Sequence, residues 1–262
     1  MTKILNHINT YADLTAYDND KEKDYPNVSY IQGTDEVKWV KDDPYINVCK
    51  YNVTSTSNAT NLLNSNNGIT YQIIDGIKQD AVQTSYTFDT LGEHIVEYKL
   101  DGTSIGDMAF YWCSGLTSVT IGSGVRYIGY WAFQSCSSLT SVTIGSGVTN
   151  INNYAFNGCT GLTSVTIPDS VTRIGTGAFY LCSGLTIVTI GSGVTSIDSY
   201  AFDSCSKLTS VTIEATTPPS LGSDAFNNTS TNLIIYVPSE SLEAFKTATN
   251  WKTYASRIKP IS

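Results

Sequence analysis

The sequence predicts a mainly β protein whose centre is a solenoid of five to six 23-residue coils, preceded by a small β-sandwich-like module and closed by a strand and a helix. Three observations predict it. Apolar residues recur every 23 positions from Ile105 to Ile213, each unit holds a short stretch of alternating apolar and polar residues, and Gly-Ser-Gly corners separate the stretches.

The period is carried by parallel columns. Phe110, Phe133, Phe156, Phe179 and Phe202 lie 23 residues apart, and Phe226 follows after 24. Leu116, Leu139, Leu162, Leu185 and Leu208 keep the same step, as do Val119 to Val211 and Ile121 to Ile213. Another column runs Ile105, Ile128, Ile151, Ile174, Ile197 and ends in Leu221. In Leu162-Thr163-Ser164-Val165-Thr166-Ile167, Val165 and Ile167 alternate with Thr166, the pattern of a half-buried strand. A Gly-Ser-Gly corner follows, replaced once by Pro168-Asp169-Ser170; both chemistries are expected to serve the same turn. Val171 and Ile174 return along a second extended segment, and Ala178 leaves room for the Phe179 ring beside it. One coil cannot bury its own apolar edges, whereas stacked coils share a core. Five to six coils spaced by about 4.8 Å give a solenoid on the order of 25–30 Å long.

The consensus L-T-S-V-T-I-G-S-G-V-T-x-I-x-x-x-A-F-x-x-C-x-x resembles the BspA-like leucine-rich repeats of bacterial surface proteins, from Ile105 to about Phe226. The resemblance implies a leucine-rich-repeat solenoid, surface or extracellular exposure, and adhesion to host or neighbouring macromolecules. It implies no catalysis. The first residues, MTKILNHINTYADLTAYDND, lack the apolar core of a secretory signal, so the route to the surface, or retention inside the cell, stays open at this point.

Cys113, Cys136, Cys159, Cys182 and Cys205 follow the same period. Stacked rungs place both Cα and Cβ atoms about 4.8 Å apart, and disulfides want Cβ atoms at about 3.5–4.5 Å. Free thiols packed as small hydrophobes are therefore expected, together with a free Cys49.

Both ends of a solenoid need caps. Residues 215–262 are read as the C-terminal cap. Thr217-Pro218-Pro219 breaks the pattern, Leu233 to Val237 is a last strand, and Ser239 is expected to N-cap a helix to about Thr247. Trp251, Tyr254 and Ile258 continue an apolar stripe. Residues 46–101 read as strands Ile46 to Thr54, Ile69 to Ile77, Ser85 to Phe88 and His94 to Leu100, with Asp75-Gly76 as a hairpin turn. The run from Tyr86 to Tyr98 resembles the closing strands of small bacterial immunoglobulin-like modules, which implies an N-terminal cap packed on the first coil. Residues 1–45 read as a polar attachment arm or linker, with a hairpin from Val28 to Val40; the solenoid itself is assigned to residues 102–214.

Charge and motifs exclude several functions. The net charge is −8, and 15 acids against 8 bases fall in residues 1–102. Without a basic stripe, neither nucleic acid nor an anionic membrane surface is an expected partner. No run of 18 apolar residues offers a membrane span. The two histidines, His7 and His94, lie in the arm and in a predicted strand, away from any nucleophile in sequence. No close Cys/His pair suits zinc, no phosphate-binding glycine motif opens a helix, and the acids of the repeats (Asp107, Asp169, Asp198, Asp203, Glu214) fall in different columns. No enzyme activity, metal or cofactor is expected.

Two surfaces remain for binding. Ser118/Thr120, Ser141/Thr143, Ser164/Thr166 and Ser210/Thr212 form a regular hydroxyl face, suited to glycans or simply to keeping a sheet soluble. The second surface varies between repeats. Where other coils carry Thr, Asn, Ser or Gly, this chain has Tyr111, Trp112, Tyr127, Tyr130, Trp131 and Tyr154, then Tyr180 and Tyr200. Large aromatics at positions that the core does not dictate supply contact area at low entropic cost. Packing against the N-terminal module is the competing explanation, above all for Tyr111 and Trp112. The expected function is a non-catalytic binding or adhesion protein holding a protein or glycan ligand. A phage or prophage tail-fibre component and an intracellular interaction scaffold are the other readings.

Overall fold

The computed structural model describes residues 44, 46–65 and 68–261, together with the backbone of strands β1 (Val28–Tyr30) and β2 (Val37–Trp39), which pair antiparallel. The remainder of the arm expected over residues 1–45, including the turn of its hairpin, lies outside the described residues. The module that follows contributes β3 (Ile46–Val53), β4 (Thr60–Asn61), β5 (Ile69–Ile74), β6 (Ile77–Lys78), β7 (Ser85–Tyr86) and β8 (Gly92–Leu100).

The solenoid alternates two kinds of strand. Two-residue strands β9 (Ser104–Ile105), β11 (Tyr127–Ile128), β13 (Asn150–Ile151), β15 (Arg173–Ile174), β17 (Ser196–Ile197) and β19 (Ser220–Leu221) form one parallel sheet. Longer strands line another wall: β10 (Leu116–Thr120), β12 (Ser141–Thr143), β14 (Ser164–Ile167), β16 (Ile187–Ile190), β18 (Ser210–Ile213) and β20 (Ile234–Val237). Column mates are register partners, as in Val165 with Val188 and Val188 with Val211, so the sequence period is the pairing register. Inside, the Phe rings from Phe110 to Phe226 stack with centroids 4.9–5.3 Å apart and planes within 6° of parallel. The backbone beside each ring forms a third ladder, with Phe133 N–H donating to Ala155 O at 2.7 Å and Phe156 N–H to Ala178 O at 2.8 Å.

One wall is interrupted. β12 closes a sheet shared with the N-terminal module, β14 opens another, and the two do not pair. Elsewhere a threonine amide bonds the preceding coil: Thr140 to Thr117 O at 2.9 Å, Thr186 to Thr163 O at 2.9 Å, Thr209 to Thr186 O at 3.0 Å. Their Oγ1 atoms donate to the same carbonyls at 3.1, 2.9 and 3.4 Å. Thr163 makes neither bond to Thr140 among the described contacts.

The corner that follows β14 differs from its neighbours. Gly191 donates its N–H to Ile167 O at 2.9 Å, and Pro168, one coil earlier, has no N–H to give. Gly147 and Gly193 lie so close to the coil below that an added Cβ would sit 1.9 Å from Ser123 O and Asp169 O respectively; the equivalent Ser170 carries that Cβ. Pro168-Asp169-Ser170 still makes the expected turn, with Val171 N–H donating to Pro168 O at 3.0 Å as Val148 does to Gly145 O at 3.1 Å, but it meets the coil before it with a Cβ and without an N–H. Val142 is only partly buried while Val165, Val188 and Val211 are buried. We expect segment 163–167 to exchange its amides at least tenfold faster than 186–190 and 209–213. The double substitution Pro168→Gly/Ser170→Gly should remove the difference, and equal protection in the native chain would refute the opening.

The N-terminal strands do not build a separate sandwich. They extend the solenoid wall in the order β12-β10-β3-β8-β5-β6, with β3 antiparallel to both β10 and β8. The physical reason is the exposed edge of β10, whose free backbone groups β3 satisfies. Val119 pairs with Cys49, and Asn47 Oδ1 accepts from Gly122 N at 3.1 Å. Asp75 (φ 48°) and Gly76 (φ 80°) form the expected hairpin turn between β5 and β6. Tyr51 and Tyr98 are buried, and the Tyr98 ring meets Phe110 edge-on at 5.3 Å, so one core runs through both parts.

At the other end a 3-10 turn (Ser239–Ser241) precedes α1 (Leu242–Thr247). Ser239 makes no capping bond; its Oγ donates to Ile261 O at 3.3 Å, because the tight turn after Pro238 carries the chain into the helix two residues later than a cap at Ser239 would need. A second 3-10 segment (Trp251–Arg257) leads to β21 (Ile258–Pro260), which pairs parallel with β20. That strand was hidden in the sequence by its three-residue length and terminal proline. Trp251 is fully buried, donates Nε1–H to Pro219 O at 2.7 Å, and meets Phe245 edge-on at 5.1 Å. It seals the end of the Phe column.

Candidate binding flank

Between the two-residue strand and the Ala-Phe pair, each coil passes through one residue in the left-handed backbone region. These are Met108, Trp131, Tyr154, Gly177, Tyr200 and Asp224, with φ between 56° and 60°. A second such column runs Trp112, Ser135, Gly158, Leu181, Ser204 and Asn228. The conformation is fixed by coil-to-coil bonds such as Trp131 N–H to Asn153 O at 3.2 Å and Tyr154 N–H to Thr176 O at 2.9 Å. For a residue with a Cβ, the left-handed region costs about 1–2 kcal/mol. Glycine, asparagine or aspartate would suit it better. Trp112, Trp131, Tyr154 and Tyr200 occupy it with large rings instead.

The rings are largely outside. Trp112 is 60% exposed, Tyr127 44%, Tyr130 40%, Trp131 36% and Tyr200 42%, while Tyr111, Tyr154 and Tyr180 are partly buried. The N-terminal module therefore does not cover Trp112, and the interdomain explanation fails for that residue. Trp131 and Tyr154 lie on successive coils with planes parallel within 3° and centroids 6.3 Å apart. Tyr130 leans on Trp131 at 6.1 Å and Tyr111 on Trp112 at 6.2 Å. Tyr127, Tyr180 and Tyr200 enter no ring pair among the described residues. The structure thus gathers Tyr130, Trp131 and Tyr154 into one group and leaves the others apart.

Gly177 seats the Tyr154 ring: a Cβ there would come within 2.4 Å of ring atom Cε1. Sequence reading missed this residue, although a lone Gly in a column of large side chains was its signal. Exposed Met108 (40%), Leu181 (44%) and Ile187 (51%) were also missed; the last stands in a column that carries Ser118, Ser141, Ser164 and Ser210. Beneath the rings, Asp107 Oδ1 accepts from Tyr130 N at 2.8 Å, and Asn153 Oδ1 accepts from Thr176 N at 3.1 Å and Arg173 Nη2 at 3.3 Å. Arg173 also pairs with Asp198, to which Ser196 Oγ donates at 2.6 Å. The aromatic group stands on a braced support.

The remaining chemistry is interior. All six cysteines are free and buried. They do more than fill space, since Cys136, Cys159, Cys182 and Cys205 each donate S–H to the Phe carbonyl 26 residues earlier at 3.0–3.1 Å. Burial pushes every thiol up, Cys113 and Cys182 to about 12, so none is poised as a nucleophile. We expect native protein to react negligibly with a thiol reagent at pH 8 and six thiols to titrate in denaturant. A bridge between adjacent repeat cysteines in non-reducing mass spectrometry would refute this. His94 sits between the Asp75 carboxylate, 2.6 Å from Nδ1, and Thr90 O, 3.0 Å from Nε2, with its ring on Phe88. It ties the hairpin to β8. Among the described residues no group of three or more His, Cys, Asp or Glu side chains is placed to hold a metal, and no helix is long and apolar enough to cross a membrane.

Parallel in-register coils, a Phe spine and an open flank define a leucine-rich-repeat protein. A model of the BspA type leucine rich repeat region matches residues 102–249 in six copies, more than half of the 262 residues, and the chain belongs to that family. Among solved structures it is similar to a leucine rich repeat protein of T. pallidum, with 29% identity and a TM-score of 0.46, covering 53% of this chain and 65% of that one. It is also similar to a leucine rich cell surface protein from Faecalibacterium prausnitzii A2-165, with 31% identity, a TM-score of 0.38, and coverage of 54% and 44%. A third is the pneumococcal vaccine antigen PcpA, with 17% identity, a TM-score of 0.42, and coverage of 60% and 40%. The chain spans less than two thirds of the length of each. No curated protein matches it.

Proposed function

We propose that this protein is a non-catalytic binding or adhesion protein of the bacterial surface, and that it holds a protein or glycan ligand on the aromatic flank of its solenoid. Family membership supports the general role, because BspA-type repeats are typically protein-binding or adhesive. The observation that carries the site is the Trp131–Tyr154 pair, which keeps an exposed and a half-buried ring parallel in a backbone conformation that disfavours them. Nothing in the Phe, Leu, Val or Ile columns requires those rings, so the cost is offset outside the fold.

A screen of immobilised matrix proteins, mucin and a glycan array tests the reading. Wild type should bind at least one of them, and Trp131→Gly/Tyr154→Gly should weaken that binding by about 2 kcal/mol or more, the scale of interface hot spots, with an unchanged circular dichroism spectrum. Binding that survives the double substitution would move the site to another face, with Thr143→Val and Thr166→Val as the next variants.

A further inference from the structure

We infer that the interface between the coil carrying β12 and the coil carrying β14 is a joint in the solenoid, with the Trp131–Tyr154 pair set across it so that wall and flank move together. The joint is a property of the fold alone. Its use, to let a bound partner and the wall influence each other, rests on the binding role proposed above. Three observations carry the inference.

The first is where the two coils are bonded and where they are not. Along one arc they are held closely. Thr149 N–H donates to Arg126 O at 2.8 Å, Asn152 N–H to Ile128 O at 3.0 Å, Phe133 N–H to Ala155 O at 2.7 Å and Ser135 N–H to Asn157 O at 2.8 Å. The Cys159 thiol adds a bond to Phe133 O at 3.1 Å. Along the wall, where residues 140–145 face 163–168, no backbone bond crosses among the described contacts. The interfaces on either side keep theirs, since β10 pairs with β12 and β14 with β16. Two coils bonded along one arc and free along another can change their angle without breaking a ladder.

The second is the core beneath the gap. Ile144 is 7% exposed, against 0% for Ile167, Ile190 and Ile213, and Val142 is only partly buried. Ser170, in the corner after β14, has its hydroxyl oxygen buried without a hydrogen-bond partner. A buried polar group left unpaired is costly, and an opening wall relieves it by admitting water. The packing that would lock the wall shut is weaker here than at the interfaces that follow.

The third is the placement of the rings. Among the described residues, Trp131–Tyr154 is the one ring contact on the flank that joins two coils, and they are these two. Tyr130–Trp131 and Tyr111–Trp112 each lie within a coil. Trp131 N–H also crosses the interface, to Asn153 O at 3.2 Å. The fit of the two rings therefore depends on the angle between the coils. A partner seated on both prefers one angle and biases the wall toward it, and by linkage a change in the wall returns to the rings.

The test needs no partner. The full chain is labelled with 5-fluorotryptophan, and the Trp131 resonance is assigned by its loss in Trp131→Gly. Amide exchange is followed by mass spectrometry in the native chain, in Trp131→Gly and in Pro168→Gly/Ser170→Gly. Restoring the glycine corner should shift the Trp131 resonance and leave that of Trp251, at the far end of the solenoid, in place. Trp131→Gly should speed exchange at 163–167 at least threefold and leave 186–190 within twofold, because a contact across the joint is lost. Relief of backbone strain does not mask this. Bonds within the coil, Ala132 N–H to Gly129 O and Gln134 N–H to Trp131 O, hold residue 131 left-handed with the wall open or shut. Exchange at 163–167 that is unchanged or slower in Trp131→Gly, or equally faster at 186–190, overturns the inference. So does a Trp131 resonance that moves no more than that of Trp251 when the corner is restored. A failed binding screen with these couplings intact would strike the proposed function and leave the joint standing; the reverse result would strike the joint alone.

Discussion

Replacing Phe156 by alanine should cost about 3–5 kcal/mol, as for other fully buried aromatics. Its ring is inaccessible to solvent and lies between Phe133 at 5.0 Å and Phe179 at 5.2 Å, nearly parallel to both. Truncation leaves a ring-sized void, and the third ladder pins the adjacent backbone through the Phe156 N–H bond to Ala178 O, so the walls cannot collapse into it. The loss falls on the junction whose strand wall is already open between β12 and β14. In a repeat array, stability is close to a sum of coil and interface contributions, so a second defect at one interface should also split the melt into two steps. A urea midpoint corresponding to less than about 1 kcal/mol would remove the Phe column from the core.

The second large effect is alkaline. Six buried thiols have folded pKa values raised above their ordinary value near 9 by desolvation, two of them to about 12. The stability this carries is fully present below about pH 9, where thiols are neutral in both states. It drains away between about pH 9 and 12, because the unfolded chain ionises first. Each thiol contributes about 1.4 kcal/mol per pH unit in that window, so by pH 10 Cys113 and Cys182 alone remove on the order of 3 kcal/mol, and the other four act in the same direction. Urea midpoints measured under reductant should be flat from pH 7 to 8.5 and fall steeply above 9. Midpoints unchanged to pH 11 would mean that the column is wet.

The solenoid was legible because its register is written as a period. Once Val165, Val188 and Val211 are 23 residues apart, parallel stacking places them side by side, and no long-range inference is needed. The ends were less legible for the same reason. β3 joins β10 across some 70 residues without repetition to announce it, and β21 is too short to show a pattern. The unusual corner beside β14 was visible in Pro168 and Ser170, yet its meaning depends on how closely successive corners pack, since a Cβ added at Gly147 or Gly193 would sit 1.9 Å from a carbonyl of the coil below. At the flank, the sequence singled out Trp131 and Tyr154 because they depart from their columns. It could not show that both occupy left-handed backbone, nor that Gly177 is the seat of a ring.

The central claim is that the flank aromatics are held at a cost to the fold and for a purpose outside it. Urea denaturation of Trp131→Gly tests this most directly. Glycine adopts the φ of 56° at this position without strain, so its gain there is about 1 kcal/mol or more before the lost contact with Tyr154 is subtracted. The account predicts a variant as stable as the native chain or slightly more so. A loss of more than about 1 kcal/mol would show that the Trp131 ring supports the fold, and the argument for a binding flank would fail with it.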